Sequence, residues 1–274
     1  MNSAPPEQAA LTVFSAWDRD PAGRGVAGAV SLGRELGGRL GLEPFSINEP
    51  GPAGESSADP LEAARPGLRA LAARYEELLA ASRIPVTAFS RCPAALATLP
   101  VVAKHHPEAA ILWFDAHPDL NTPDTSATGY FGGLSLAGPM GRWDSGLGQG
   151  VAARNVILVG ARDIDPPEKH FIGERLIKVV APGPGLPARL SAAIGGRPVY
   201  VHFDCDVLEP GIVPLDYEVP GGLDLGDLRA AAEVIGKHEL TGIEIGEFEA
   251  PQEGGSQPGP LVESFWPALS RFAA

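Results

Sequence analysis

Two short clusters of acids carry the chemistry in this sequence. At one the chain reads Asp115-Ala116-His117-Pro118-Asp119, and at the other Asp204-Cys205-Asp206. Each follows a largely apolar run, 110–114 and 199–203, of the kind that forms a buried strand. In extended backbone alternate side chains share a face, so Asp115, His117 and Asp119 would point one way, as would Asp204 and Asp206. Carboxylates at the ends of apolar strands are costly to bury unless cations neutralise them. Four such aspartates with one imidazole make a donor set for two hard or borderline divalent ions. One Asp-x-Asp after a strand would ordinarily cap a turn. Two such sets, one with an interposed histidine, point to metal.

The elements that must position these residues follow from periodicity. Strand-like runs at 11–17, 85–90, 110–115, 156–162, 175–180, 198–204 and 241–247 alternate with amphipathic helical patterns at 59–81, 93–105, 186–194 and 225–238. This alternation predicts an α/β fold, a three-layer α/β/α arrangement around a mostly parallel sheet with right-handed crossovers. Such sheets take ligands at the carboxyl ends of their strands, where both acid clusters fall. A Pro/Gly/Ser-rich stretch at 46–60 reads as a surface connection, and a Gly-rich stretch at 120–150 as a lid. Neither is a domain boundary, and no repeat is visible, so residues 1–274 read as a single domain.

Composition narrows the partners. The 274 residues are 44% hydrophobic and 20% charged, enough for one large core. A net charge of −13 without a Lys/Arg cluster argues against nucleic acid and suits metal cations and a cationic small molecule. No apolar run is long enough to span a membrane, and residues 1–10 lack the basic-then-apolar order of a secretory signal. Two cysteines, Cys92 and Cys205, make no disulfide framework and suit a reducing, cytoplasmic setting. A homo-oligomer stays open.

The motifs carry a resemblance. WFDAHPDLNTP at 113–123 resembles the D-A-H-x-D-x-N-T motif of arginases, agmatinases and related ureohydrolases. HFDCDVLEP at 202–210 resembles their S-F-D-x-D-x-x-D-P motif, with a similar glycine pair at Gly221-Gly222, and GARDIDPPE at 160–168 is similar to their G-x-R-D-x-D-P-x-E stretch. The likeness runs from about 85 to 249 and implies an arginase-like fold. It implies that Asp115 and Asp204 bridge two Mn²⁺ ions, that His117 and Asp206 complete one, and that Asp119 completes the other. A water activated between the ions would attack a guanidino carbon, with Asp119 passing its proton to the leaving amine. Glu247 matches the family's guanidinium-binding glutamate. Asn121, Thr128, Asp165 and Glu168 match positions that grip the α-carboxylate and α-amino group of arginine, which favours an arginine-like amino acid over agmatine.

Two departures lie at the reactive end. Where the family has G-G-D-H, its histidine a ligand of the first ion, this chain has Phe89-Ser90-Arg91-Cys92, so Cys92 stands at the ligand position and Arg91 replaces an acid. Cys92 precedes Pro93 and a helical run, and a helix N-terminus would favour its thiolate. A thiolate is a softer partner for Mn²⁺ than imidazole, so the first ion would be held weakly, or Cys92 is an inert buried thiol. The lid motif S-G-N-x-H-G becomes Thr128-Gly129-Tyr130-Phe131-Gly132-Gly133, with Gly132 in place of a histidine. His202 reads either as a partner behind the ligands or as a core histidine. His105, His106, His170 and His238 read as surface or helix-end residues. An amino-acid end kept and a guanidino end altered favour a modified guanidine. Nω-hydroxy-L-arginine fits, being less basic, and Gly132 would leave room for its added oxygen. The resemblance thus extends to the amidinohydrolases of D-cycloserine biosynthesis, an antibiotic pathway, with hydroxyurea and L-ornithine as products. The competing expectations are an ordinary arginase or other ureohydrolase (agmatinase or formiminoglutamase-like), and an arginase-like protein that binds without catalysis.

Overall fold

The apolar runs become one sheet in the computed structural model, which describes residues 8–16, 22–48, 59–250 and 257–273. Its strands are β1 (Ala9–Phe14), β2 (Phe45–Ile47), β3 (Ile84–Phe89), β4 (Ala110–Phe114), β5 (Val156–Val159), β6 (Lys178–Val180), β7 (Val199–Asp204) and β8 (Leu240–Gly246). They pair in parallel throughout, in the order β2-β1-β3-β8-β7-β4-β5-β6. Every residue of β3, β8, β7 and β4 is buried, as expected for central parallel strands covered on both faces.

The cover comes from α1 (Arg24–Leu40), α2 (Pro60–Ala80), α3 (Ala95–His105), α4 (Pro166–Arg175), α5 (Leu186–Ile194), α6 (Leu225–Ile235) and α7 (Gly259–Leu269). Apolar residues of α1, α5, α6 and α7 pack on one face of the sheet, and those of α2, α3 and α4 on the other. The three-layer expectation holds, with a sheet that is wholly parallel. Among the described residues no helix is long and apolar enough to cross a membrane.

Several elements differ from the sequence reading. Helix α1 and strand β2 were not expected. The glycines of α1 lower helix propensity, but they let it lie close to its neighbours: a Cβ on Gly28 would fall 1.6 Å from the Phe248 carbonyl oxygen. Helix α7 was also missed. The strand expected at 175–180 is only Lys178–Val180, because Arg175 closes α4 and Leu176 turns the chain with φ 53°. Within the long loop expected at 46–60, residues 46 and 47 belong to β2, and Asp59 caps α2 by accepting from the Leu61 amide at 2.9 Å. Residues 49–58, Trp17 and the start of the chain read for a signal (1–7) lie outside the described residues.

Candidate active site

The four central strands bring the expected residues together. At their carboxyl ends stand Arg91 and Cys92 after β3, Glu247 after β8, Asp204 and Asp206 at β7, and Asp115 to Asp119 after β4. The acids converge, but not by strand alternation. Beyond Phe114 the chain bends; Asp115 Oδ1 accepts from the His117 amide at 2.6 Å, and Asp119 adopts left-handed backbone with φ 51°. Likewise Asp204 Oδ1 accepts from the Asp206 amide at 2.7 Å, opening a single 3-10 turn over Cys205–Val207. Turn capping and convergence are therefore the same feature here. Among the described residues four non-glycines have positive φ, and Asp119 and Glu247 are two of them. Backbone strain of this kind gathers at functional sites.

Ligand-type atoms fall into three groups, each within 4.8 Å: Cys92, Asp115 and Asp119; Asp115, His117 and Asp206; and Cys92, Asp204 and Glu247. Asp115 belongs to both of the first two, as a bridging carboxylate would. Asp204 turns Oδ2 toward Cys92 Sγ, 3.1 Å away. Burial, then neighbouring carboxylates, pushes Asp115, Asp119 and Asp204 well above the usual aspartate range. Burial opposes charge on His117 too, yet the carboxylates of Asp115 and Asp206 raise it, with His117 Nδ1 2.8 Å from Asp206 Oδ2. For Asp206 burial is outweighed by His117 and the Ala116 amide, which hold it low. Asp119 is buried and faces the acids Asp115, Glu168 and Asp206, whose charges raise it further. Such a cluster, poor in internal cations, fits a pair of divalent ions.

Cys92 is not the exposed thiolate of a helix N-terminus. It opens a short 3-10 turn, Cys92–Ala94, ahead of α3. Burial and then Asp204, Glu247, Asp119 and Asp115 push its thiol well up. Its sulfur lies 3.3 Å from His202 Nε2, and His202 Nδ1 lies 2.7 Å from Glu244 Oε1. His202 also stacks on Trp113, centroids 3.6 Å apart and planes within 4°. It is thus an orienting partner behind Cys92, and Trp113 Nε1 orients Asp115 by donating to Oδ2 at 3.0 Å. Neither Trp113 nor Glu244 stands out as a site residue from the sequence. The signal for Glu244 was an acid inside the otherwise apolar strand β8, paired in register with His202.

Glu247 is already engaged. Its Oε2 accepts from Arg91 Nη1 at 2.6 Å and its Oε1 from the Cys92 amide at 2.8 Å. Arg91 Nη2 donates to Glu249 Oε1 at 2.7 Å, and Arg24 Nε lies 3.2 Å from Glu249 Oε2. Arg162, within the third motif, binds the loop after β7, donating to the carbonyls of Asp206 at 2.9 Å and Val219 at 2.6 Å.

In the loop after β4, Asn121 Nδ2 donates to Asp165 Oδ2 at 2.9 Å. The buried Glu168 accepts from the Asp165 amide at 3.0 Å and the Leu120 amide at 2.8 Å, so it also braces this loop against α4. Thr128 is exposed, and its hydroxyl accepts from the Tyr130 amide at 3.2 Å. The space expected at Gly132 is filled: a Cβ there would meet Tyr130 Cε1 at 2.4 Å and its hydroxyl at 2.8 Å. The Tyr130 ring lies 5.5 Å from that of Tyr217, which lies 6.1 Å from His117.

The buried acid cluster thus lies at the carboxyl ends of the central strands of a parallel three-layer α/β sheet, where such folds place their ligand sites. The sequence model of the arginase family matches residues 52–258, and the chain belongs to that family, hydrolases of amidino C–N bonds that depend on a binuclear metal centre. It is 40% identical over 229 residues to an Nω-hydroxy-L-arginine amidinohydrolase of Streptomyces lavendulae, covering 83% of this chain and 84% of that one. Among solved structures, the arginase of Bacillus caldovelox has a TM-score of 0.79 at 24% identity, over 96% of this chain and 98% of that one. The arginase of Entamoeba histolytica, solved with L-ornithine, has a TM-score of 0.81 at 20% identity, over 97% and 98%. These two likenesses establish the fold alone.

Proposed function

We propose that this chain, as one arginase-like domain in the cytoplasm, hydrolyses Nω-hydroxy-L-arginine to hydroxyurea and L-ornithine, as in D-cycloserine biosynthesis. The reading rests on where the site departs from the arginase motifs. On this reading both departures, Cys92 beside Arg91 and Gly132 under Tyr130, fall at the guanidino end, and Asn121, Asp165 and Glu168, which remain linked to one another, form the amino-acid end. The name of the Streptomyces lavendulae relative supports the same substrate.

Asp115, His117, Asp119, Asp204 and Asp206, with Cys92 on one side, would hold two Mn²⁺ ions, which supply Lewis-acid activation of a water. Asp119 would take the proton given up by the attacking water as oxygen bonds to the guanidino carbon. The carbon–nitrogen bond to the ornithine side chain then breaks, and Asp119 returns the proton to the departing nitrogen. Asn121, Thr128, Asp165 and Glu168 grip the α-carboxylate and α-amino group and set the distance to the reacting carbon. Glu247 lies beside the guanidino nitrogens.

The test is initial-rate kinetics with Mn²⁺ saturating. We expect kcat/KM for Nω-hydroxy-L-arginine to exceed that for L-arginine at least about tenfold, roughly 1.4 kcal/mol of differential transition-state stabilisation. Equal efficiencies, or a preference for arginine, would return the chain to the ordinary arginases, and activity on agmatine alone would overturn the roles of Asn121, Thr128 and Asp165.

A further inference from the structure

We propose that Arg91 is the positioning residue that sets substrate choice, by occupying Glu247 with an internal guanidinium so that the site disfavours a protonated guanidine and accepts a neutral hydroxyguanidine. The inference rests on the amidinohydrolase reading above and deepens it.

Glu247 is the carboxylate placed to meet a substrate's guanidino group, yet each of its oxygens already has a donor: Oε2 has Arg91 Nη1 at 2.6 Å, and Oε1 has the Cys92 amide at 2.8 Å. Arg91 is fixed there. It is 1% exposed, and its other terminal nitrogen is held by Glu249 Oε1 at 2.7 Å, which Arg24 anchors in turn. The planar fork of an arginine is always charged and suits two carboxylates at once. Arg91 is therefore a permanent cation spanning Glu247 and Glu249. A protonated substrate guanidinium reaching Glu247 would meet a carboxylate already neutralised, with a like charge behind it. A neutral hydroxyguanidine meets no such repulsion and can still donate N–H groups to the remaining lone pairs of Glu247. Selection against the cation is thus built into β3 and β8, whose ends lie side by side.

The experiment compares the Mn²⁺-loaded enzyme with Arg91→Gln and with the charge-balanced Arg91→Gln/Glu249→Gln, measuring kcat and KM for Nω-hydroxy-L-arginine and L-arginine. The expected result is a fall of at least about tenfold in the ratio of the two efficiencies, carried mainly by a lower KM for arginine. Loss of both activities in parallel, leaving the ratio unchanged, would mark Arg91 as merely structural and overturn the proposal. A second measurement needs no variant. Titrated into the unmodified holoenzyme, guanidinium should bind no more tightly than its neutral isostere urea, and tenfold tighter binding of guanidinium would overturn the proposal. The wild-type preference tests the substrate reading separately. If the wild type favours arginine and Arg91→Gln favours it further, the substrate reading falls while the role of Arg91 stands.

Discussion

Stripped of metal, this protein should lose stability as pH rises from about 5 to 8. Burial and mutual repulsion push Asp115, Asp119 and Asp204 well above the ordinary aspartate value. The folded metal-free chain therefore keeps protons that the unfolded chain has released above about pH 4. With more protons bound to the native state, stability falls with pH, by about 1.4 kcal/mol per unit for each proton retained. His117, raised by Asp115 and Asp206 against the opposing effect of burial, adds to the same trend once pH passes the unfolded histidine value of about 6.5. Asp206, held low by His117, is ionised in both states across this range and adds no slope. Each pH unit over which one such proton is retained therefore counts against the roughly 5–15 kcal/mol that holds a domain folded. The assay is urea unfolding of chelator-treated protein at pH 5, 6.5 and 8 at constant ionic strength, repeated after reloading with Mn²⁺. Reloading should flatten or reverse the trend, because the ions bind the deprotonated ligands. A chelated protein that is equally stable at pH 5 and 8, or more stable at 8, would refute the cluster as an uncompensated metal site.

Other outcomes follow from single residues. Asp204→Ala, removing a proposed bridge, should abolish both metal retention, read by elemental analysis, and turnover; normal activity would sink the ligand assignment. Metal titration should show one tight and one weaker ion, the weaker beside Cys92, and two equally tight sites would contradict this. Cys92→His should tighten the weaker ion but lower the melting temperature, since the sulfur is packed 3.3 Å from His202 and 3.1 Å from Asp204 and overpacking costs about 1–3 kcal/mol. Gly132→Ala must displace the Tyr130 ring, 2.4 Å from the new Cβ, at a similar cost of about 1–3 kcal/mol. Denaturant unfolding and wild-type kinetics unchanged in that variant would show that the ring moves freely.

What the sequence by itself determined was the local part. Apolar runs ending in Asp115, Asp204 and Glu247 marked the central strands and their carboxyl ends, because strand burial leaves a pattern that can be read within a few residues. That these acids cluster was legible for the same reason, although turns rather than alternation bring them together. Helix α1 was hidden because its glycines serve contacts with distant backbone at the cost of helical signal. Only the tertiary structure decided the partnerships. Arg91 meets Glu247 across 156 positions, and Cys92 meets His202 across 110, because β3 lies beside β8 and β8 beside β7. That order is set by packing both faces of the sheet under helices, a global condition that no short window of residues contains. Whether Glu247 stands free or already holds a cation therefore depended on which strands became neighbours.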